Sequence, residues 1–221
     1  MSTRRLFYCD HYAIPLPEGH KFPMAKYRMV RDLLAPDGYF EFVCAPLADP
    51  ETVKLAHDPL YVDQFLRGEL SRAAVRRIGF PWSEGLVKRT LASVGGTLGA
   101  TRDAFISGWG GNLAGGTHHA FRGEGSGFCV FNDIAIAIQS LRASDRIERA
   151  AILDLDVHQG DGTAKIFEDD PAVFTVSLHS ESNFPFRKQR SKLDVELPDK
   201  LGDEEYLRAL DMVLPNVFAF D

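Results

Sequence analysis

Apolar residues in this chain fall into short runs separated by segments rich in Gly, Pro and charge. "RLFYC" predicts a first strand, and "HYAIPLPEGHKFP" a loop that leaves His11 and His20 exposed. Pro23 suits a first helical turn, and Met24, Tyr27 and Leu34 then recur at helical spacing in "MAKYRMVRDLL". "YFEFVCA" predicts a second strand, and "DPETVKLAH" a short helix capped by Asp49. "HDPLYVDQFLRG" repeats the Asp-Pro start and stops at Gly68. "SEGLVKRTLASVGGTLGATRDAF" reads as one long helix broken in pattern by Gly95 and Gly96. Each interior glycine costs about 1 kcal/mol against alanine, so the pair implies close packing or a kink.

Further on, Asn132 or Asp133 caps "IAIAIQSLR", whose nearly continuous apolar character predicts a buried helix. "AAILDLDV" and "AVFTVSLH" are apolar, β-rich runs, and "TAKIFEDD" between them has helical spacing. Strand, helix, strand with fully apolar strands predicts a mostly parallel sheet with helices on both faces. The two runs end at His158 and His179, where ligands bind in open α/β sheets. The final "VFAF" reads as the lead-in to another strand.

With 221 residues the chain can build one sizeable core, which predicts a single domain over 1–221. Its 25 Lys and Arg against 31 Asp and Glu argue against direct nucleic-acid binding through counterion release. The run "FRKQRSKLDV" reads as a solvated loop. Three well-separated cysteines, Cys9, Cys44 and Cys129, are expected to be reduced thiols. No segment has the form of a signal peptide or a membrane span, so the expected setting is cytoplasmic, without a membrane partner.

The chemistry concentrates in two segments. In "ILDLDVHQGDG", Asp154, Asp156 and His158 are spaced two apart, so in extended chain their side chains share one side. Clustered carboxylates need a counter-charge, and a carboxylate with an imidazole suits zinc. Gly160 and Gly162 suit a tight reversal around an ion. Plain loop capping by Asp156 and His158 is the alternative. The second segment, residues 107–133, is rich in glycine with interleaved aromatics, as in the wall of a site, and contains the adjacent pair His118 and His119. Structural histidines satisfied in the core are the alternative there. Near-neutral histidines can pass a proton from metal-bound water to a leaving amine, with Asp154 and Asp161 available to fix their tautomers.

"GGTHHAFRGEGSGFCVFNDIAIAI" and "ILDLDVHQGDGTAKIF" resemble the two signature segments of the histone deacetylase family, with its three-layer arginase/deacetylase fold. "HYAIPLPEGHKFPMAKY" and "HDPLYVDQF" are similar to its N-terminal portion, in the manner of class IV and bacterial members. The resemblance implies a zinc-dependent amide hydrolase removing acetyl or other acyl groups from lysine in a protein or peptide. It makes Asp156 and His158 zinc ligands and His118 and His119 the catalytic pair, oriented by Asp154 and Asp161. Gly127 and Phe128 would wall the acyl-lysine channel, with Phe184 as its opposite aromatic face. A monovalent cation, usually potassium in the family, would be held by Asp154, Asp156 and His158 backbone groups with Ser177 and Leu178.

The chain departs from the family pattern in two ways. Gln159 stands where many members have a second histidine, which implies altered hydrogen bonding around the metal site without loss of the metal. The family's third zinc ligand and its carbonyl-polarising tyrosine have no counterpart up to residue 221, so the chain is expected to match a deacetylase lacking its C-terminal portion, with little activity alone. The motifs leave open a small acetylated amine such as an acetylpolyamine as substrate. They also leave open a catalytically silent acyl-lysine binding fragment. Arginase-like manganese chemistry is disfavoured by the glycine-rich His-His segment.

Overall fold

A computed structural model describes residues 4–220. The chain divides into two compact units, Met1–Ser140 and Leu141–Asp221.

The first unit runs β1 (Arg4–Tyr8), α1 (Lys26–Leu34), β2 (Phe40–Cys44), α2 (Pro50–Val53), α3 (Pro59–Arg67), α4 (Arg72–Ile78), α5 (Glu84–Ser107), β3 (Gly111–Asn112) and α6 (Asp133–Ala143), whose last turn passes the boundary. The strands form a parallel sheet in the order β2-β1-β3, with Leu6 opposite both Phe42 and Gly111. Local chemistry sets the helix ends. Asp49 accepts a hydrogen bond from Glu51 N–H, Asp58 accepts from Leu60 N–H at 2.8 Å, and Gly68 closes α3 in the left-handed conformation. Phe7, Cys9, Ala45, Ala92, Ala100 and Ala114 form a core between sheet and α5.

α5 is continuous through Gly95 and Gly96, which serve close packing. A Cβ on Gly95 would lie 1.9 Å from the Pro46 carbonyl oxygen, and one on Gly96 would meet the Asn112 side chain at 2.7 Å. The incoming loop is pinned at that approach by the Ala48 N–H, which donates to the Leu91 carbonyl at 3.0 Å.

The second unit runs β4 (Ala150–Asp154), α7 (Asp161–Ile166), β5 (Val173–Ser180), β6 (Leu193–Leu197) and α8 (Asp203–Phe218). Its strands are again all parallel, in the order β4-β5-β6. Alternation along β5 sends Val176 and Leu178 into a core with Ala209 and Val213 of α8, and so Thr175, Ser177 and His179 to the opposite face. The parallel pairing agrees with the expected fold class.

Some expectations are corrected. The strand read in "AAILDLDV" stops at Asp154, and "VFAF" begins inside α8 instead of leading into a strand. The basic run ends in β6, because Leu193 and Asp194 pair with Val176 and Ser177. Elements β3, α4, β6 and α8 had no clear signal in the pattern. His11 is exposed as expected, but His20 is tied in: its Nε2 donates to the Gly79 carbonyl at 2.8 Å, and its Nδ1 accepts from Phe22 N–H.

Candidate active site

His118 and His119 follow a turn that α6 organises from its first residue. The Asp133 carboxylate accepts hydrogen bonds from Gly116 N–H, Thr117 N–H and the Thr117 hydroxyl at 2.6 to 3.1 Å, and from the Thr97 hydroxyl of α5. Asn132 caps α6 through Ala135 N–H, and its amide donates to the Ala120 carbonyl at 3.3 Å. The histidine pair is thus fastened on both sides. Both rings are buried, at 7% and 4% exposure, with centroids 4.1 Å apart.

A third histidine supports this turn. His57 is fully buried, its Nδ1 3.2 Å from the Arg122 carbonyl, while its Nε2 accepts from Asn132 N–H at 2.8 Å. Burial pushes its pKa down from 6.5 to about 4. His57 therefore stays neutral and serves as structure.

The chain then reverses between Ser126 and Cys129, which exchange two backbone hydrogen bonds. The two central residues, Gly127 and Phe128, both have positive φ, 53° and 66°. A left-handed phenylalanine costs about 1 to 3 kcal/mol and persists only where its surroundings impose it. Here Phe128 N–H donates to the Ile78 carbonyl at 2.8 Å, and its ring packs against Phe22, Phe80 and His20 at centroid distances of 5.2 to 5.7 Å. Gly79 makes room for it, since a Cβ there would sit 2.8 Å from the ring. Beside it lies a cavity of about 40 Å³, lined among others by Phe128, Ser93 and Arg89. That is room for water beside the buried Arg89 Nη1.

In the second unit, Asp154 and Asp156 each accept a hydrogen bond from the backbone N–H two residues on, at 3.0 and 2.8 Å. The expected extended chain is thus replaced beyond Asp154 by two successive turns built from aspartate side chains. They turn Asp156 toward His158, whose Nδ1 lies 2.9 Å from Asp156 Oδ1. Two ligands of a tetrahedral zinc with bonds near 2.0 to 2.1 Å stand roughly 3.3 Å apart, whereas these two atoms are at the distance of a hydrogen bond to each other, so a cation between them would need them to part by a few tenths of an ångström. Among the described residues no three His, Cys, Asp or Glu side chains converge on such a point. The Phe184 ring stands edge-on to His158 at 6.0 Å. Asp161 is buried at the start of α7 and accepts from Gly162 N–H. Asp154 and Ser177 are register partners on β4 and β5. Leu178 has its side chain in the core and pairs with Val195 of β6.

Sequence reasoning gave no role to His57 and saw Asp133 only as a cap. It also assigned Gln159 no partners. The bonds these residues make span 75, 16 and 30 positions, beyond the reach of a spacing argument.

A family profile described as "Histone deacetylase domain" matches residues 20–220, across both units. An uncharacterized protein of Picosynechococcus sp. is 52% identical over 206 residues, covering 92% of this chain and 69% of that protein. Histone deacetylase 2 of Arabidopsis thaliana is 32% identical over 97% of this chain and 59% of its own length. The crystal structure of an HDAC homolog from Aquifex aeolicus superposes with a TM-score of 0.80 at 26% identity, covering 98% of this chain and 65% of that one. The chain thus spans about three fifths to two thirds of these relatives. On the profile, the identities and the shared parallel α/β fold, the chain belongs to the histone deacetylase family of metal-dependent amide hydrolases, with kinship to its bacterial and class IV members.

Proposed function

We propose that the protein is a zinc-dependent amide hydrolase that removes acetyl or another acyl group from a lysine side chain, acting in the cytoplasm. The observation that carries this reading is the buried His118–His119 pair, fastened by Asp133 and Asn132. Buried histidines need partners, and two adjacent rings on a stapled turn are poor packing material but good proton carriers.

Asp156 and His158 would hold the zinc. When bound, the metal polarises the amide carbonyl and acidifies water. The water oxygen bonds to the carbonyl carbon, the C–N bond breaks, and the proton released by water ends on the leaving amine. His118 and His119 would carry that proton on their ring nitrogens, and orienting such rings by carboxylates is the role that the family resemblance gives Asp154 and Asp161. Contact with the methylene stem of the lysine is the role that the family resemblance gives Gly127, Phe128 and Phe184. A monovalent cation, potassium by resemblance to the family, would be held by Ser177 and Leu178 with backbone groups of Asp154, Asp156 and His158.

The test is His119→Ala in the zinc-loaded, complete protein, with an acetyl-lysine peptide and an acetylpolyamine as substrates. Turnover should fall by at least about 100-fold, the share of a positioned acid-base group, with the thermal unfolding midpoint held. Undiminished turnover defeats the assignment of the pair. Preference for the polyamine would move the substrate class to small amines.

A further inference from the structure

Gln159 follows His158 directly, and its side chain is buried at 1% exposure. Its Nε2 donates to the Gln189 carbonyl at 2.8 Å and to Asp194 Oδ1 at 2.9 Å, while its Oε1 accepts from Gln189 N–H at 2.8 Å. A backbone carbonyl only accepts and a backbone N–H only donates, so these three bonds need one group with two donors and an acceptor on adjacent atoms. A carboxamide meets that demand. A neutral imidazole offers one donor and one acceptor.

The segment held in this way is 183–194. Near its start is Phe184, beside His158, and Lys188 ties its first turn by donating to the Asn183 and Pro185 carbonyls at 2.6 and 2.8 Å. Its far end is fixed by Ser191 N–H on Asp194 Oδ2 and by Lys192 N–H on Thr175 Oγ1. Between these anchors, Arg187 and Arg190 are exposed and Gln189 is held by Gln159.

We propose that Gln159 is a positioning residue that clamps segment 183–194 to the turn carrying Asp156 and His158, and so fixes the Phe184 ring against the substrate. The clamp itself stands on the hydrogen bonds alone. Its effect on substrate rests on the reading of Phe184 as a channel residue given above. With the clamp intact, Phe184 keeps a narrow slot that admits acetyl-lysine and turns away longer acyl chains. Without it, the ring moves with its loop, and both the fit of acetyl-lysine and the rejection of longer chains decline.

Two variants test this from opposite ends: Gln159→Leu, and Asp194→Ala on β6. Trypsin cleavage at Arg187 and Arg190, followed by mass spectrometry, reads the clamp directly. It should accelerate roughly tenfold in Gln159→Leu, and less in Asp194→Ala, where the bonds to Gln189 remain. In the zinc-loaded, complete protein, KM for an acetyl-lysine peptide should rise roughly tenfold with kcat within about threefold, and the preference for acetyl over butyryl should shrink. Zinc content should match the wild type. Unchanged cleavage overturns the clamp. A fall in kcat at constant KM, or loss of zinc, overturns the positioning role. A wild-type protein that hydrolyses neither peptide overturns the amide hydrolase reading and the substrate half of this proposal, while cleavage still decides the clamp.

Discussion

His57 shows how a single buried ring ties stability to pH. Its two partners require the tautomer with Nδ1–H toward the Arg122 carbonyl and a bare Nε2 toward Asn132 N–H. Protonation would set two N–H groups against each other in a buried site. The folded-state pKa of about 4 lies below the ordinary 6.5, so between those values the unfolded chain binds the proton and the folded chain does not. Stability from this residue is therefore complete above about pH 6.5 and drains away as pH falls toward 4. Between about pH 7.5 and pH 5 the loss is about 2 kcal/mol. His179, also lowered mainly by burial, pushes in the same direction, so the comparison has to isolate His57. Urea unfolding of the wild type and His57→Phe should show a stability gap that narrows by about that amount over the same interval. A gap that stays constant would mean that the ring is charged, or solvated, in the fold.

Helix α5 is the element whose sequence and packing conflict most openly. Gly95 gives up about 1 kcal/mol of helix propensity so that the Pro46 carbonyl can rest against the helix. Gly95→Ala regains the propensity but places a methyl 1.9 Å from a backbone oxygen, where no side-chain rotation can relieve the clash. Overpacking of this kind typically costs 1 to 3 kcal/mol or more, so we expect net destabilisation of about 2 kcal/mol, seen as a lower urea midpoint at unchanged slope. Elements with local instructions were legible in the sequence: Asp49-Pro50, Asp58-Pro59 and Gly68 mark helix ends through contacts within a few residues. Elements defined by distant partners were not. β3 is two residues long and exists because Leu6 and Phe7 lie beside it, and β6 exists because β5 does. α8 carries Pro215 in its last turn and ends in Val217 and Phe218, which imitates a strand start. The site divides along the same line. The motifs exposed the histidine pair and the Asp–His pair, whereas the groups that fasten them, Asp133, Asn132, His57 and Gln159, work through long-range bonds.

At the scale of the whole chain, each unit has its own parallel sheet and core, and the proposed chemistry is split between them: the histidine pair belongs to residues 1–140, the Asp156–His158 pair to 141–221. On the proposed reading metal affinity is set by the second unit's donors, and the number of donors fixes its scale. Four-ligand structural zinc sites bind with about 10 to 16 kcal/mol at neutral pH, so a two-ligand pair should supply roughly half, corresponding to a Kd between about 1 μM and a few hundred μM. Calorimetric titration of zinc into the metal-free 221-residue chain should fall in that range. Asp156→Ala and His158→Ala should each remove the binding, since one remaining ligand holds zinc little better than a surface histidine. Because the ion binds the folded chain, about 100 μM zinc should raise the unfolding free energy of the wild type, by about 0.2 kcal/mol at the weak end of that range and about 2.7 kcal/mol at the tight end, and leave both variants unmoved. Stoichiometric binding tighter than about 1 μM would instead require at least one further protein ligand to join Asp156 and His158. Alanine replacement of each remaining aspartate and histidine would then identify that ligand, and the pair described here would be two thirds of a catalytic centre already present in this chain.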